Sequence, residues 1–178
     1  MKYPRSAGSC LLPLLLAASP LAMAAAGKAP DPSLVERGRY LTTVAGCNDC
    51  HTPGYALNDG KVAERYWLVG DQVGYRGAWG TTYPGNLRRY FNNISEEEWL
   101  RTARGANYRP PMPSPALRAM TDEDLRAIYH FVRSLGPAMS LVPAYVPPEQ
   151  QPTGPVVIFP MPPTRASVPT APPPAAGL

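Results

Sequence analysis

The chain has 178 residues, of which 24 are proline, with 17 Lys/Arg against 13 Asp/Glu. That length suits one domain with a real core plus extensions. The basic residues are scattered without a run, so the net charge of +4 makes no case for nucleic-acid binding.

The first 26 residues read as a secretory signal peptide. Lys2 and Arg5 form a short basic region, and Leu11–Ser19 is an apolar run too short to span a bilayer. Ala22-Met23-Ala24 fits a cleavage motif, as does Ala24-Ala25-Ala26, which puts cleavage between Ala24 and Gly27. The competing reading is an uncleaved anchor, and the short apolar run argues against it. Cys10 precedes the apolar run, so it does not fit a lipid-anchored cysteine. Removing this segment leaves fifteen basic residues against thirteen acidic ones, and two cysteines, Cys47 and Cys50. The mature chain is then expected to be exported to the periplasm, with no membrane span.

Asp31-Pro32 opens the first predicted helix, with Asp31 as cap and Pro32 at the first helical position. Leu34, Gly38, Leu41 and Ala45 share one face. Two of these four are small, which admits a close neighbour. The helix is expected to run straight into Cys47-Asn48-Asp49-Cys50-His51.

C-x-x-C-H is the attachment signature for c-type haem. Two thiols three residues apart on a helical turn can each add to one vinyl group, and the adjacent histidine can then present an imidazole nitrogen to the iron. Its other ring nitrogen needs a hydrogen-bond acceptor, and a backbone carbonyl near Pro53 is the expected one. A thioredoxin-like pair is a weaker reading, because it belongs after a strand in a βαβ unit. A zinc site needs four ligands, and only His130 could join Cys47, Cys50 and His51 as a strong one. A disulfide across so short a span would be strained.

From Gly54 to Gly85 the chain is glycine-rich and carries Trp67, Tyr75, Trp79 and Tyr83. This reads as loop able to wrap a flat apolar cofactor. Arg76, Trp79 and Arg109 are candidates for the haem propionates. Ser95-x-x-Glu98 predicts a second helix by its capping box, with Trp99, Leu100 and Ala103 as its apolar face. Gly105 is expected to end it in the left-handed region. Thr121-x-x-Asp124 opens a third helix, with Leu125, Ile128, Val132 and Leu135 as its stripe and Gly136-Pro137 as its stop.

The sixth ligand decides between an electron carrier and an open haem site. The candidates are Met112, Met120, Met139, Met161 and His130. His130 falls on the Arg126/Arg133 side of its helix, opposite the stripe, and reads as a solvated surface residue. Met120 stands before the Thr121 cap with Leu125 at the fourth helical position, the arrangement of a hydrophobic staple. Met139 and Met161 lie beyond the last helix. Met112 sits in the proline-rich Arg109-Pro110-Pro111-Met112-Pro113, a stiff mount for a soft thioether. The competing reading is an ordinary core or surface methionine.

Cys47–His51, Met112-Pro113 and the closing Met120–Gly136 together resemble the single-haem class I cytochrome c family of bacterial periplasms, over roughly residues 31 to 136. The resemblance implies a small all-α cytochrome c-like fold of three to five helices around one covalently bound haem c. It implies Cys47 and Cys50 as attachment points and His51 and Met112 as axial ligands. It also implies a close crossing of the first and last helices, at Gly38 and the Phe131 side. Tyr83–Leu87 resembles a P-x-N-[IL] stretch of cytochromes that serve dehydrogenase systems, which makes Asn86 a candidate haem-side contact.

The expected organisation is thus a signal peptide over 1–26, a haem domain over 27–136 and a Pro-rich tail over 137–178. Thirteen prolines fall in that tail, which is expected to be extended or disordered. Val156–Pro160 is an apolar island in it, able to lie back on the domain or to dock on a partner. The function read from all this is a one-electron carrier between redox-partner proteins: a donor dehydrogenase, and an acceptor oxidase or another cytochrome. The alternatives are a haem subunit of a periplasmic dehydrogenase, and a haem enzyme or gas sensor with an open sixth position. No general base or nucleophile stands out, so the chain reads as an electron-transfer protein and not as an enzyme on its own.

Overall fold

The computed structural model describes residues 31–160. The segment 1–26 expected to be a signal peptide, Met161 and the last part of the tail lie outside the described residues. The elements in chain order are α1 (Pro32–Val44), α2 (Cys47–His51), β1 (Gly74–Gly77), β2 (Gly80–Thr82), α3 (Leu87–Asn92), α4 (Glu96–Arg104), α5 (Ser114–Ala119), α6 (Asp122–Ser134) and β3 (Val156–Ile158).

Three helix starts form as the sequence reading expects. The Asp31 carboxylate accepts from Ser33 N, and Pro32 takes the first helical position of α1. The Ser95/Glu98 capping box closes on α4. The Thr121 hydroxyl accepts from Asp124 N at the start of α6. Each satisfies donors that the first helical turn leaves without a partner. Three acidic residues follow the cap in both α4 and α6, where the helix dipole favours them.

Several boundaries differ from the expectation. α1 does not run into Cys47, because Gly46 adopts φ 70 and breaks the chain into a separate α2. A left-handed residue cannot continue a right-handed helix. Gly105 ends α4 at φ −89, outside the left-handed region, whereas Gly136 after α6 is at φ 71. The described residues hold six α-helices, not three to five, since α3 and α5 are only six residues each and give little periodic signal.

The all-α expectation also needs correction. A three-stranded sheet in the order β2-β1-β3 is present, with β1 antiparallel to β2 and parallel to β3. Glycine permits the first pairing: a Cβ on Gly74 would stand 2.5 Å from Thr81 Cγ2, so the hairpin closes only without one. The tail supplies the third strand. The described part of the tail lies against the domain through β3, a bridge between Val146 and Thr81, and Phe159 packed on Tyr75 and Trp79.

α1 and α6 cross at the centre of the fold. Gly38 is buried there against Ala127 and Phe131. Trp99 of α4 donates from Nε1 to the Leu125 carbonyl at 2.8 Å, and Phe91 of α3 stacks between Trp99 and Tyr129. The core runs through Leu41, Leu68, Phe91, Trp99, Leu125, Ile128, Phe131 and Val132. Arg88, nearly buried, donates to the carbonyls of Gly136, Leu135 and Arg65. It thereby ties α3 to the negative end of α6.

Candidate haem site

The site is built around α2. Cys47 and Cys50 are both free thiols and partly buried, and Cys47 packs against the core. Burial pushes the Cys47 thiol up to about 11, so it stays protonated at neutral pH. Burial, followed by the nearby Cys50 thiol, raises the Tyr75 phenol of β1 above its ordinary value.

His51 is held from two sides. Its Nδ1 lies 2.7 Å from the Gly85 carbonyl, and its own carbonyl accepts from Gly70 N at 2.9 Å. The expected acceptor near Pro53 is thus replaced by Gly85. The Thr52 carbonyl there is already engaged by Tyr55 N, and the Tyr83–Asn86 loop passes closer to the ring. Nε2 makes no hydrogen bond among the described residues. Burial holds the imidazole below its ordinary value, which favours the neutral ring that a metal requires.

A small buried network sets this geometry. Thr52 Oγ1 donates to Asn48 Oδ1 at 2.8 Å and accepts from Leu68 N at 2.8 Å. Leu68 is fully buried at φ 59, a region costing a non-glycine residue about 1 kcal/mol or more. Its carbonyl accepts from Leu87 N and Arg88 N, so both of its backbone groups are used. The sequence reading missed Asn48, Thr52, Leu68 and Gly70. The hydroxyl directly after His51 was the one available signal.

Met112 is half-buried and packs against the core. Its loop is fixed by Thr82 Oγ1 donating to the Pro110 carbonyl at 2.7 Å and by Ser114 N donating to the Met112 carbonyl at 2.9 Å. The other candidates sit elsewhere. His130 is half-buried rather than solvated, and its Nε2 lies 2.9 Å from Glu96. Met120 packs against the cluster that contains Leu125. Met139 is 89% exposed.

The propionate candidates separate clearly. Arg76 is occupied by Thr81 and by the tail carbonyls of Pro148 and Gln150. Arg109 stacks over the Tyr145 ring at 3.9 Å. Trp79 Nε1 is buried with no partner, a condition shared only by Asn48 Nδ2 among the described residues. A buried N–H without an acceptor costs about 1–3 kcal/mol, and a carboxylate brought by a cofactor would satisfy it. Asn86 caps α3 through Oδ1 and donates from Nδ2 to the carbonyls of Ala138 and Ser140. Two open cavities of about 400 and 510 Å³ are lined by Asn86, Arg89, Tyr90, Asn93 and Ile94 with residues 140–142, and by 107–109; Cys47, Cys50, His51 and Met112 line neither.

Two thiols and a neutral imidazole on one short helix suit covalent attachment of haem, and among the described residues no group of three or more His, Cys, Asp or Glu could hold a metal ion such as zinc. The cytochrome c family model matches residues 35–136. The chain belongs to the cytochrome c family.

As a cytochrome c it carries covalently bound haem c and is an electron-transfer haem protein. It is similar to the fructose dehydrogenase cytochrome subunit of Gluconobacter japonicus, at 28% identity over 104 residues, covering 55% of this chain and 20% of that protein. It is also similar to the cytochrome c subunit of the quinone alcohol dehydrogenase of Gluconobacter oxydans (strain 621H), at 28% over 111 residues, or 57% and 21% of the two chains. The matched part is thus about a fifth of each of these curated relatives. No solved structure matches the chain. Among the described residues no helix is long and apolar enough to cross a membrane.

Proposed function

We propose that this cytochrome c is a periplasmic one-electron carrier with a single haem, attached through Cys47 and Cys50 and ligated by His51 and Met112. The observation that carries the reading is the state of His51: Nδ1 committed to Gly85 and Nε2 left without a hydrogen bond. A histidine ligand is ordinarily held in this way, with its second nitrogen fixing tautomer and orientation. Met112, presented by an anchored loop and packed on the same core, supports the second ligand. Trp79 Nε1 would hold a propionate.

The haem would supply a one-electron couple at iron. The chain supplies rigidity: two fixed ligands leave little to reorganise, and no substrate site is required. Its partners are redox proteins, which a carrier engages through small, weak interfaces. Export by the first 26 residues supports the periplasmic location. A second reading, a haem subunit retained on a dehydrogenase, is favoured by the printed names of both relatives.

Carbon monoxide decides between a carrier and an open haem site. The reduced holoprotein is expected to be low-spin and to bind carbon monoxide poorly. A high-spin protein that takes it up readily would contradict the proposal. Recovery of a dehydrogenase with the full chain but not with a chain ending at Gly136 would favour the retained subunit.

A further inference from the structure

The segment after α6 reaches the support of His51. It lies beyond the residues that match the family model, which end at 136. Asn86 Nδ2 donates to the carbonyls of Ala138 at 2.9 Å and Ser140 at 3.1 Å. Asn86 directly follows Gly85, whose carbonyl faces His51 Nδ1. The same segment reaches the other support: a Cβ on Gly70 would stand 2.5 Å from Val142 Cγ2, and Gly70 N donates to the His51 carbonyl. Gln72 Nε2 donates to the Leu141 carbonyl at 2.5 Å, and Asp71 N to Pro84 O at 3.2 Å. Residues 138–142 therefore brace both strands of chain that grip His51.

We propose that Asn86 is a positioning residue for the proximal histidine, and that residues 138–142 form a strap which, through Asn86 and Gly70, sets the hydrogen bond from His51 Nδ1 to Gly85. This rests on the His51 ligation proposed above. The strength of that bond governs how much electron density the imidazole gives to iron, because a hydrogen-bond acceptor on the far nitrogen raises ligand basicity. Loosening the strap weakens the bond, stabilises the oxidised state less and raises the reduction potential. Asn86 is the efficient point of control: its Oδ1 caps α3 while its Nδ2 holds the strap, so the two jobs can be separated.

Asn86→Ser separates them. Serine still caps, adds no charge, and is too short to reach both strap carbonyls. Val142→Ala loosens the Gly70 side independently and keeps a second route open if the first variant folds poorly. The measurements are made on full-length holoprotein: the midpoint potential, and hydrogen exchange of the His51 Nδ1 proton in the reduced state by NMR. The expected result for Asn86→Ser is a higher potential and exchange about tenfold faster, the scale of one lost net hydrogen bond, with the sulfur-to-iron band retained. Val142→Ala is expected to move both in the same direction by less. A wild type with the His/Met spectrum whose two variants leave potential and exchange unchanged overturns the strap alone. A wild type whose His51 ring signals show no coordination to the haem iron overturns the His51 ligation, and the strap with it.

Discussion

Gly38 of α1 lies so close to Ala127 of α6 that a Cβ added to it would stand 2.0 Å from the Ala127 carbonyl oxygen. The same Cβ would stand 2.5 Å from Phe131 Cβ. Neither neighbour can yield, since one is helix backbone and the other the root of a fully buried ring. Gly38→Ala is therefore expected to destabilise the holoprotein by about 1–3 kcal/mol by forcing the helices apart. Urea unfolding followed through helix content checks this, and a neutral substitution would contradict the crossing.

Trp79 offers a prediction whose sign is informative. If its buried Nε1 has no acceptor in the holoprotein, Trp79→Phe removes an unpaired donor and stabilises. If a haem propionate accepts from it, the same change loses a charge-assisted bond and destabilises, by about 1–3 kcal/mol. The second outcome is expected. It is read from the thermal or urea midpoint of holoprotein with and without the substitution.

Tyr75 gives a pH dependence. Burial raises its folded pKa above the ordinary 10.0. A phenol raised in the folded state contributes stability that is fully present below its unfolded pKa and is lost as pH rises through the folded value. Wild-type holoprotein should thus lose stability above pH 10 more steeply than Tyr75→Phe, with parallel behaviour below it. Unfolding free energies measured across that range check the point, and equal alkaline slopes would contradict a raised Tyr75 phenol.

The parts of this protein legible in its sequence are those whose chemistry is local. Caps at Asp31, Ser95 and Thr121 announce themselves by residue type and spacing, and so does the C-x-x-C-H turn. Gly38 was legible as one small residue on an apolar face. What escaped depends on distant pieces of chain. The acceptor for His51 comes from Gly85, 34 residues later, and no local rule points to it. β3 pairs with a strand some 80 residues earlier, in parallel; a three-residue strand inside a proline-rich tail carries no period to read. Asn86 was noticed for its motif, but the bonds of its amide to carbonyls beyond α6 were not legible. Leu68 could not have been found at all, since nothing in a leucine signals a positive φ.

The central claim is that Met112 is the sulfur ligand opposite His51. It is tested most directly by the absorption spectrum of oxidised holoprotein, wild type beside Met112→Ala. The account predicts a low-spin wild type with a weak sulfur-to-iron band, and a variant that loses this band while keeping covalently bound haem. A variant that retains the band, or a wild type that never shows it, would contradict the account.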